Sequence, residues 1–256
     1  HRIYHNHGYP YLGHTSIIRL VLKILDYINI YCSTQVFEIS ADNKNAVSFP
    51  LLKGYTKKSF LPHFGTSCGI DLNFFNKNSY SKEDIKKLKK EIQLPESNFV
   101  LGYVGRPHKR KGFHFLLKTW VQGNFASKGF SLLIAGCTKT DILRANKYIP
   151  KGIKALGYVE NMPDFYSVIS LLCLPSYHEG FNTAILEAAA MEIPTLGFDI
   201  PGIKCAIHHN KTGWLTAKND SYAFIDRINQ ARSNTIERFQ FGFAGRKFVS
   251  ECFSRE

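Results

Sequence analysis

Two carboxylates, Glu179 and Glu187, stand eight positions apart in the segment HEGFNTAILE, across a loop that turns into a helix. The preceding LLCLPS is a short apolar run that reads as a buried parallel strand. Thr183 to Met191 is a run of helix formers opened by Asn182, a favoured N-cap type. Glu179 is thereby placed on the loop leaving the strand and Glu187 inside the helix. Ligands of open α/β sheets bind outside the carboxyl ends of the strands, so both carboxylates are expected to face one crevice with helix N–H groups between them. An ionised carboxylate accepts paired hydrogen bonds from a vicinal diol, and a second one can stabilise an oxocarbenium-like centre. The bare pair also fits a plainer reading, with Glu179 favoured by the helix dipole and Glu187 a solvated helix residue.

A second constellation lies in VLGYVGRPHKRKGF. Phe99 to Val104 reads as an apolar strand, Gly105 allows a tight turn, and Arg106, Lys109, Arg110 and Lys111 crowd the loop before a helix starting near Gly112. Such a loop suits a diphosphate, whose growing charge as a leaving group needs fixed positive donors where no metal is present. A solvated basic loop is the alternative. A third lies in IYHNHGYP, where Ile3 and Tyr4 end a strand-like run and His5, His7 and Gly8 follow. Histidines at i and i+2 share one face of a strand and suggest a metal, but no third ligand is spaced to join them.

The longer run HEGFNTAILEAAAMEIPTLGFDIPG resembles the glutamate-spaced motif of the retaining family 4 glycosyltransferases, which have two facing doubly wound domains, the GT-B fold. The resemblance implies that Glu187 binds the ribose hydroxyls of a nucleotide-sugar. It also implies that Glu179 lies beside the transferred sugar, in an orienting and electrostatic role rather than as a nucleophile. Arg106, just after Gly105, and Lys111, just before Gly112, match the family's diphosphate-binding arginine and lysine. Gly180, Phe181 and the N–H groups near Asn182 and Thr183 complete the expected donor site. In ALGYVENMP the family's GYV loop would give Tyr158 and Val159 backbone contacts to the base, although Tyr158 packing on the sheet edge is an equal reading. His7 matches a histidine that points across the cleft at the donor. SCGIDLNFF matches the stretch before the interdomain linker through Gly69, Ile70 and Asp71, with Cys68 where asparagine is usual. Departures are Glu192, where glycine is usual after the second glutamate's helix, and Lys204 and Cys205, where an acidic residue is common.

The implied reaction is metal-independent and cofactor-free: a sugar moves with retention from a nucleotide-diphospho-sugar, itself a substrate, to a glycan or lipid-linked acceptor. The implied setting is bacterial surface-polysaccharide or glycolipid synthesis, cytoplasmic, with peripheral contact at the anionic inner face of the membrane. A sugar-nucleotide epimerase of similar architecture and a basic, non-catalytic binding module are the rival readings.

The elements that must position these residues follow from the rest of the chain. Its 256 residues suffice for one large or two modest domains. Strand-like and helical runs alternate from Phe99 to about Ala217, which argues for an α/β fold with a doubly wound parallel sheet. Strands are expected at Phe99 to Val104, Ser131 to Ala135, Ile153 to Leu156, Ile169 to Leu174 and Thr195 to Phe198, and late helices at Ser221 to Arg232 and Ile236 to Cys252. The expected division is 1–78 as part of an acceptor-side Rossmann-like domain with a strand near Val36 to Ser40, 79–97 as linker, 98–240 as the nucleotide-sugar domain, and 241–256 as a helix packing back on the first. A doubly wound domain usually needs about 100–150 residues, so the short first unit and the initial histidine suggest a piece of a longer enzyme. Ser81, Glu83 and a lysine-rich run point to a capped, exposed helix in the linker.

The formal charge of +13 and pI near 9.4 suit anionic partners. No helix-turn-helix, zinc or aromatic RNA-binding signature accompanies the charge, which disfavours nucleic acid and leaves anionic lipid, with Lys53, Lys57 and Lys58 as headgroup candidates. SIIRLVLKILDYINIYCST, broken by Arg19, Lys23 and Asp26, is too short to span a bilayer and is expected to be buried against the first sheet, an interfacial helix being the alternative. Six cysteines without close pairing suit reduced, mostly buried thiols.

Overall fold

The computed structural model describes residues 1–7, 11, 16–39, 59–60 and 69–255. Gly8, Lys53, Lys57, Lys58 and Cys68 lie outside the described residues. The chain forms two parallel sheets. The first holds β1 (Ile3–Asn6), β2 (Gln35–Glu38) and β3 (Ser59–Phe60) in that order. The second has six strands: β4 (Phe99–Val104), β5 (Phe130–Ala135), β6 (Ile153–Gly157), β7 (Leu171–Leu174), β8 (Thr195–Phe198) and β9 (Gly213–Thr216), ordered β6-β5-β4-β7-β8-β9. Every pairing in it is parallel.

Strands covered on both faces read as unbroken apolar runs, and β5, FSLLIA, is buried at every position. The helices α3 (Phe113–Gln122), α4 (Lys139–Asn146), α5 (Met162–Val168), α6 (Thr183–Ala190), α7 (Ser221–Ser233) and α8 (Thr235–Cys252) cover this sheet. The core is rich in large rings, with Tyr103, Phe113, Phe125, Tyr166, Phe198, Trp214 and Phe224 each essentially inaccessible. The successive strands β4, β5 and β6 step one way, whereas β7 returns to the other side of β4. The gap between the carboxyl ends of β4 and β7 is therefore the topological switch point, where an open α/β sheet binds its ligand.

The expected strands are present within two residues at their ends; β3 and β9 are additional ones. The segment 79–97 is largely helical: α2 (Lys82–Glu91) is closed by a capping box between Ser81 and Asp84, not Glu83. The expected boundary at 240 falls inside the unbroken α8. Beyond that helix the chain returns to the Gly69–Asp71 stretch, with Ile70 N–H donating to Phe253 O at 2.7 Å and Arg255 N–H to Ile70 O at 2.9 Å. Glu192 is left-handed, at φ 58°, and its carboxylate meets Lys77 Nζ at 2.9 Å.

Two expectations are corrected. Helix α1 (Ser16–Cys32) forms, but most of its apolar side chains are not buried: Ile17 is 74% exposed, and Ile18, Leu20, Val21, Ile24, Leu25, Ile28 and Tyr31 are also exposed. A helix that is apolar most of the way round shows a sheet only one face, and here that face carries Ile30 and Asp26, whose Oδ1 accepts the Tyr4 hydroxyl at 3.0 Å. Among the five described cysteines only Cys137 and Cys173 are buried; Cys32 is exposed on α1, and Cys205 and Cys252 are half-buried. No helix among the described residues is long and apolar enough to cross a membrane.

Candidate active site

The basic loop follows directly from β4. Lys109 to Lys111 form a single 3-10 turn, capped by His108 Nδ1, which accepts the Arg110 N–H at 3.1 Å. Gly112 ends the turn at φ 71°, and a Cβ there would lie 1.8 Å from the Pro175 carbonyl oxygen. Only glycine permits both the left-handed backbone and the close approach to the β7 loop. From below, the buried Tyr103 hydroxyl lies 3.2 Å from Arg106 O and 3.3 Å from Lys111 O, within donating reach of both ends of the loop. Burial pushes the Tyr103 phenol well above its ordinary pKa, so it stays a donor. With its carbonyls held inward, the loop exposes Arg106, Lys109 and Arg110.

The carboxylate loop follows β7. Glu179 is only 7% exposed, and Lys111 Nζ spans its two oxygens at 2.7 and 2.8 Å. Asn182 Nδ2 adds a third donor to Glu179 Oε1 at 3.2 Å, while Asn182 Oδ1 caps α6 by accepting the Ala184 N–H at 3.1 Å. One side chain thus orients the carboxylate and satisfies one of the first-turn N–H groups expected to be bare. Lysine has three N–H donors, so Lys111 keeps one for a further acceptor. The Arg106 guanidinium has no hydrogen-bond or ion-pair partner among the described residues.

Glu187, one turn into α6, is half-buried, and its Oε2 accepts the hydroxyl of Tyr166 at 2.8 Å. Burial raises its pKa above the usual carboxylate value, and the Tyr166 hydrogen bond acts the other way. Thr183, the first residue of α6, is partly exposed. Phe181 turns toward the C-terminal segment, with its ring 5.8 Å from Phe253.

The first sheet reaches the same loop. A Cβ at Gly180 would lie 1.9 Å from the His7 carbonyl oxygen and 2.8 Å from Ile39, so the segment after β1 lies against the backbone beside Glu179. His7 itself is exposed, with its ring 4.3 Å from that of His5, whose pKa is lowered by burial and by the His7 charge. Among the described residues no three metal-ligating side chains come together.

Glu179, Gly180, Asn182, Lys111 and the His7 backbone therefore come together at one place, with Gly105, Arg106 and Glu187 on the two elements that flank the β4–β7 switch point. Tyr158 and Val159 follow β6, the edge strand of the six-stranded sheet. Tyr158 is 90% exposed, so it does not pack on the edge, while Val159 packs against the core. Sequence reasoning missed Tyr103 and Tyr166. The first sits within GYVGR, where a tyrosine one position before the strand end signals a ring under the loop; the second had no local signal.

Residues 98–234 match the family described as glycosyl transferases group 1. The chain is 28% identical, over 92% of its length and 62% of the relative's, to the capsular polysaccharide biosynthesis glycosyltransferase CapM of Staphylococcus aureus. It is 25% identical, over 86% of its length and 56% of the relative's, to the UDP-Gal:alpha-D-GlcNAc-diphosphoundecaprenol alpha-1,3-galactosyltransferase of Escherichia coli. It thus spans less than two thirds of either relative. Among solved structures, Anabaena Alr3699/HepE in complex with UDP and glucose superposes on 98% of this chain and 67% of its own, with a TM-score of 0.80 at 22% identity. That likeness supports the GT-B type of fold.

Proposed function

Since the chain belongs to the glycosyl transferases group 1 family, we propose that it serves a retaining, metal-independent glycosyltransferase whose donor is a nucleotide-diphospho-sugar. The carrying observation is the Lys111–Glu179 pair at 2.7 Å, which joins the basic loop to the carboxylate loop across the β4–β7 switch point. Arg106, with the third donor of Lys111 and the first turn of α6, neutralises the diphosphate; Glu187 holds the ribose diol. The anomeric C–O bond to the diphosphate breaks with its electron pair leaving on the diphosphate oxygen, and the acceptor hydroxyl forms the new bond and gives its proton to that oxygen. Glu179, already engaged by Lys111 and Asn182, is a poor nucleophile and a good fixed charge beside an oxocarbenium-like centre.

The relatives named above act in capsular polysaccharide synthesis and on a diphosphoundecaprenol-linked sugar, which supports a glycan or lipid-linked acceptor in bacterial surface-polysaccharide or glycolipid synthesis. A cytoplasmic site peripheral to the inner membrane face belongs to this proposal. Thermal-shift titration with UDP, GDP, ADP and their sugars tests it: the cognate diphosphate should raise Tm, and Arg106→Ala and Glu187→Ala should each diminish the rise. Equal rises in all three proteins would remove the site assignment.

A further inference from the structure

Glu187 does not stand alone on its helix. It lies on α6, whereas the group that holds it, Tyr166, comes from α5, a separate element. The Tyr166 side chain is fully inaccessible, packed 5.4 Å from the Phe165 ring and 6.1 Å from the Phe75 ring, so it has no other orientation to adopt. Its hydroxyl lies 2.8 Å from Glu187 Oε2 and 3.3 Å from the Ala184 carbonyl, and its single proton goes to the closer and charged acceptor. A hydroxyl has one proton to give, and a carboxylate offers about four lone-pair sites on two oxygens. The contact therefore fixes the carboxylate and leaves most of its accepting capacity open.

We propose that Tyr166 is a positioning residue for nucleotide binding, its buried hydroxyl locking the plane of the Glu187 carboxylate so that Oε1 and the second lone pair of Oε2 remain for the two ribose hydroxyls of a nucleoside diphosphate. This rests on the reading of Glu187 as the ribose ligand. A carboxylate free to rotate would have to be ordered each time a diol binds; one held by a rigid phenol is ordered beforehand. The same hydrogen bond favours the ionised carboxylate, the form a diol needs, against the burial that disfavours it.

The test uses Tyr166→Phe, which keeps the ring and removes only the hydroxyl, beside Glu187→Ala, with the whole chain throughout. Binding of UDP, GDP and ADP and of their 2′-deoxy counterparts is measured by calorimetry from pH 5 to 8. Three results support the inference: Tyr166→Phe weakens the cognate diphosphate on the order of tenfold, loses most of the discrimination against the 2′-deoxy analogue, and moves the acid limb of the binding profile to higher pH. A merely structural role would lower Tm and leave both the ribo/deoxy ratio and the acid limb where they were, and that result overturns the inference. If Glu187→Ala weakens binding and Tyr166→Phe does not, the positioning role falls and the ribose reading stands. If neither substitution matters, or no diphosphate binds the native chain, the ribose reading falls and the inference with it.

Discussion

Lys111 and Arg106 share a loop and, by resemblance, a ligand, yet their surroundings set them apart. Lys111 Nζ is bound to a carboxylate whose side chain is 8% exposed, whereas Arg106 projects from the loop into solvent. Removing a cation from a nearly buried carboxylate leaves an unsatisfied charge, at a cost of roughly 1–3 kcal/mol. Truncating an exposed arginine that has no partner among the described residues shifts stability within about 0.5 kcal/mol. Lys111→Ala should thus lower the urea midpoint of the unliganded chain clearly, and Arg106→Ala should not, although on the proposed function both should weaken diphosphate binding. Matching midpoints for the two variants would mean that the Lys111–Glu179 pair contributes nothing to the unliganded fold. The residue types were legible because Glu179, Asn182, Glu187, Arg106 and Lys111 sit in short motifs with chemical character. Their pairing was not, since Lys111 and Glu179 are 68 positions apart and Tyr166 and Glu187 are 21 apart, beyond the reach of local pattern.

The elements that bring those residues together are β4 and β7 with the loops they feed, and the fit between the loops is steric as much as electrostatic. Gly112 sits where the basic loop passes over Pro175, with both a positive φ and a Cβ site 1.8 Å from a carbonyl oxygen. Gly129 has the same kind of backbone, φ 73°, but its nearest neighbour would lie at 3.4 Å. Gly129→Ala should therefore cost only the left-handed strain, about 1 kcal/mol. Gly112→Ala adds the clash and should cost about 1–2 kcal/mol more by denaturant titration, with weakened diphosphate binding as the loop lifts from Pro175. Equal costs at the two glycines would show that the loop yields without resistance. Phe99–Val104, six residues stopped by Gly105, and Thr195–Phe198, started by Pro194, were legible to their ends. GWLT was not: a four-residue strand of mixed polarity that begins on glycine has too little pattern to separate from a loop. Helix α1 misled in another way, because apolar content predicts burial only when a surface faces every side of the helix.

At the scale of the whole molecule the two sheets meet at the carboxylate loop, where Gly180 admits the His7 carbonyl and Ile39 against its Cα. Nothing in the local sequence around either residue encodes that contact; what was legible was only that a histidine after β1 belongs near the donor in the resembled family. The close approach makes Gly180 a joint between the units, because any side chain there must push the end of β1 away or drag the Glu179 loop with it. The six-stranded sheet has its own closed core and should not register the change, whereas the three-stranded sheet is small and bears on it through this loop. In Gly180→Ala, hydrogen exchange should accelerate at the amides of Ile3–Asn6 and Gln35–Glu38 and stay unchanged in Phe99–Val104 and Phe130–Ala135. Exchange that rises in both sheets together would make the two units one cooperative body; exchange that rises in neither would mean that the joint is loose and that His7 is not held at the donor site by the fold.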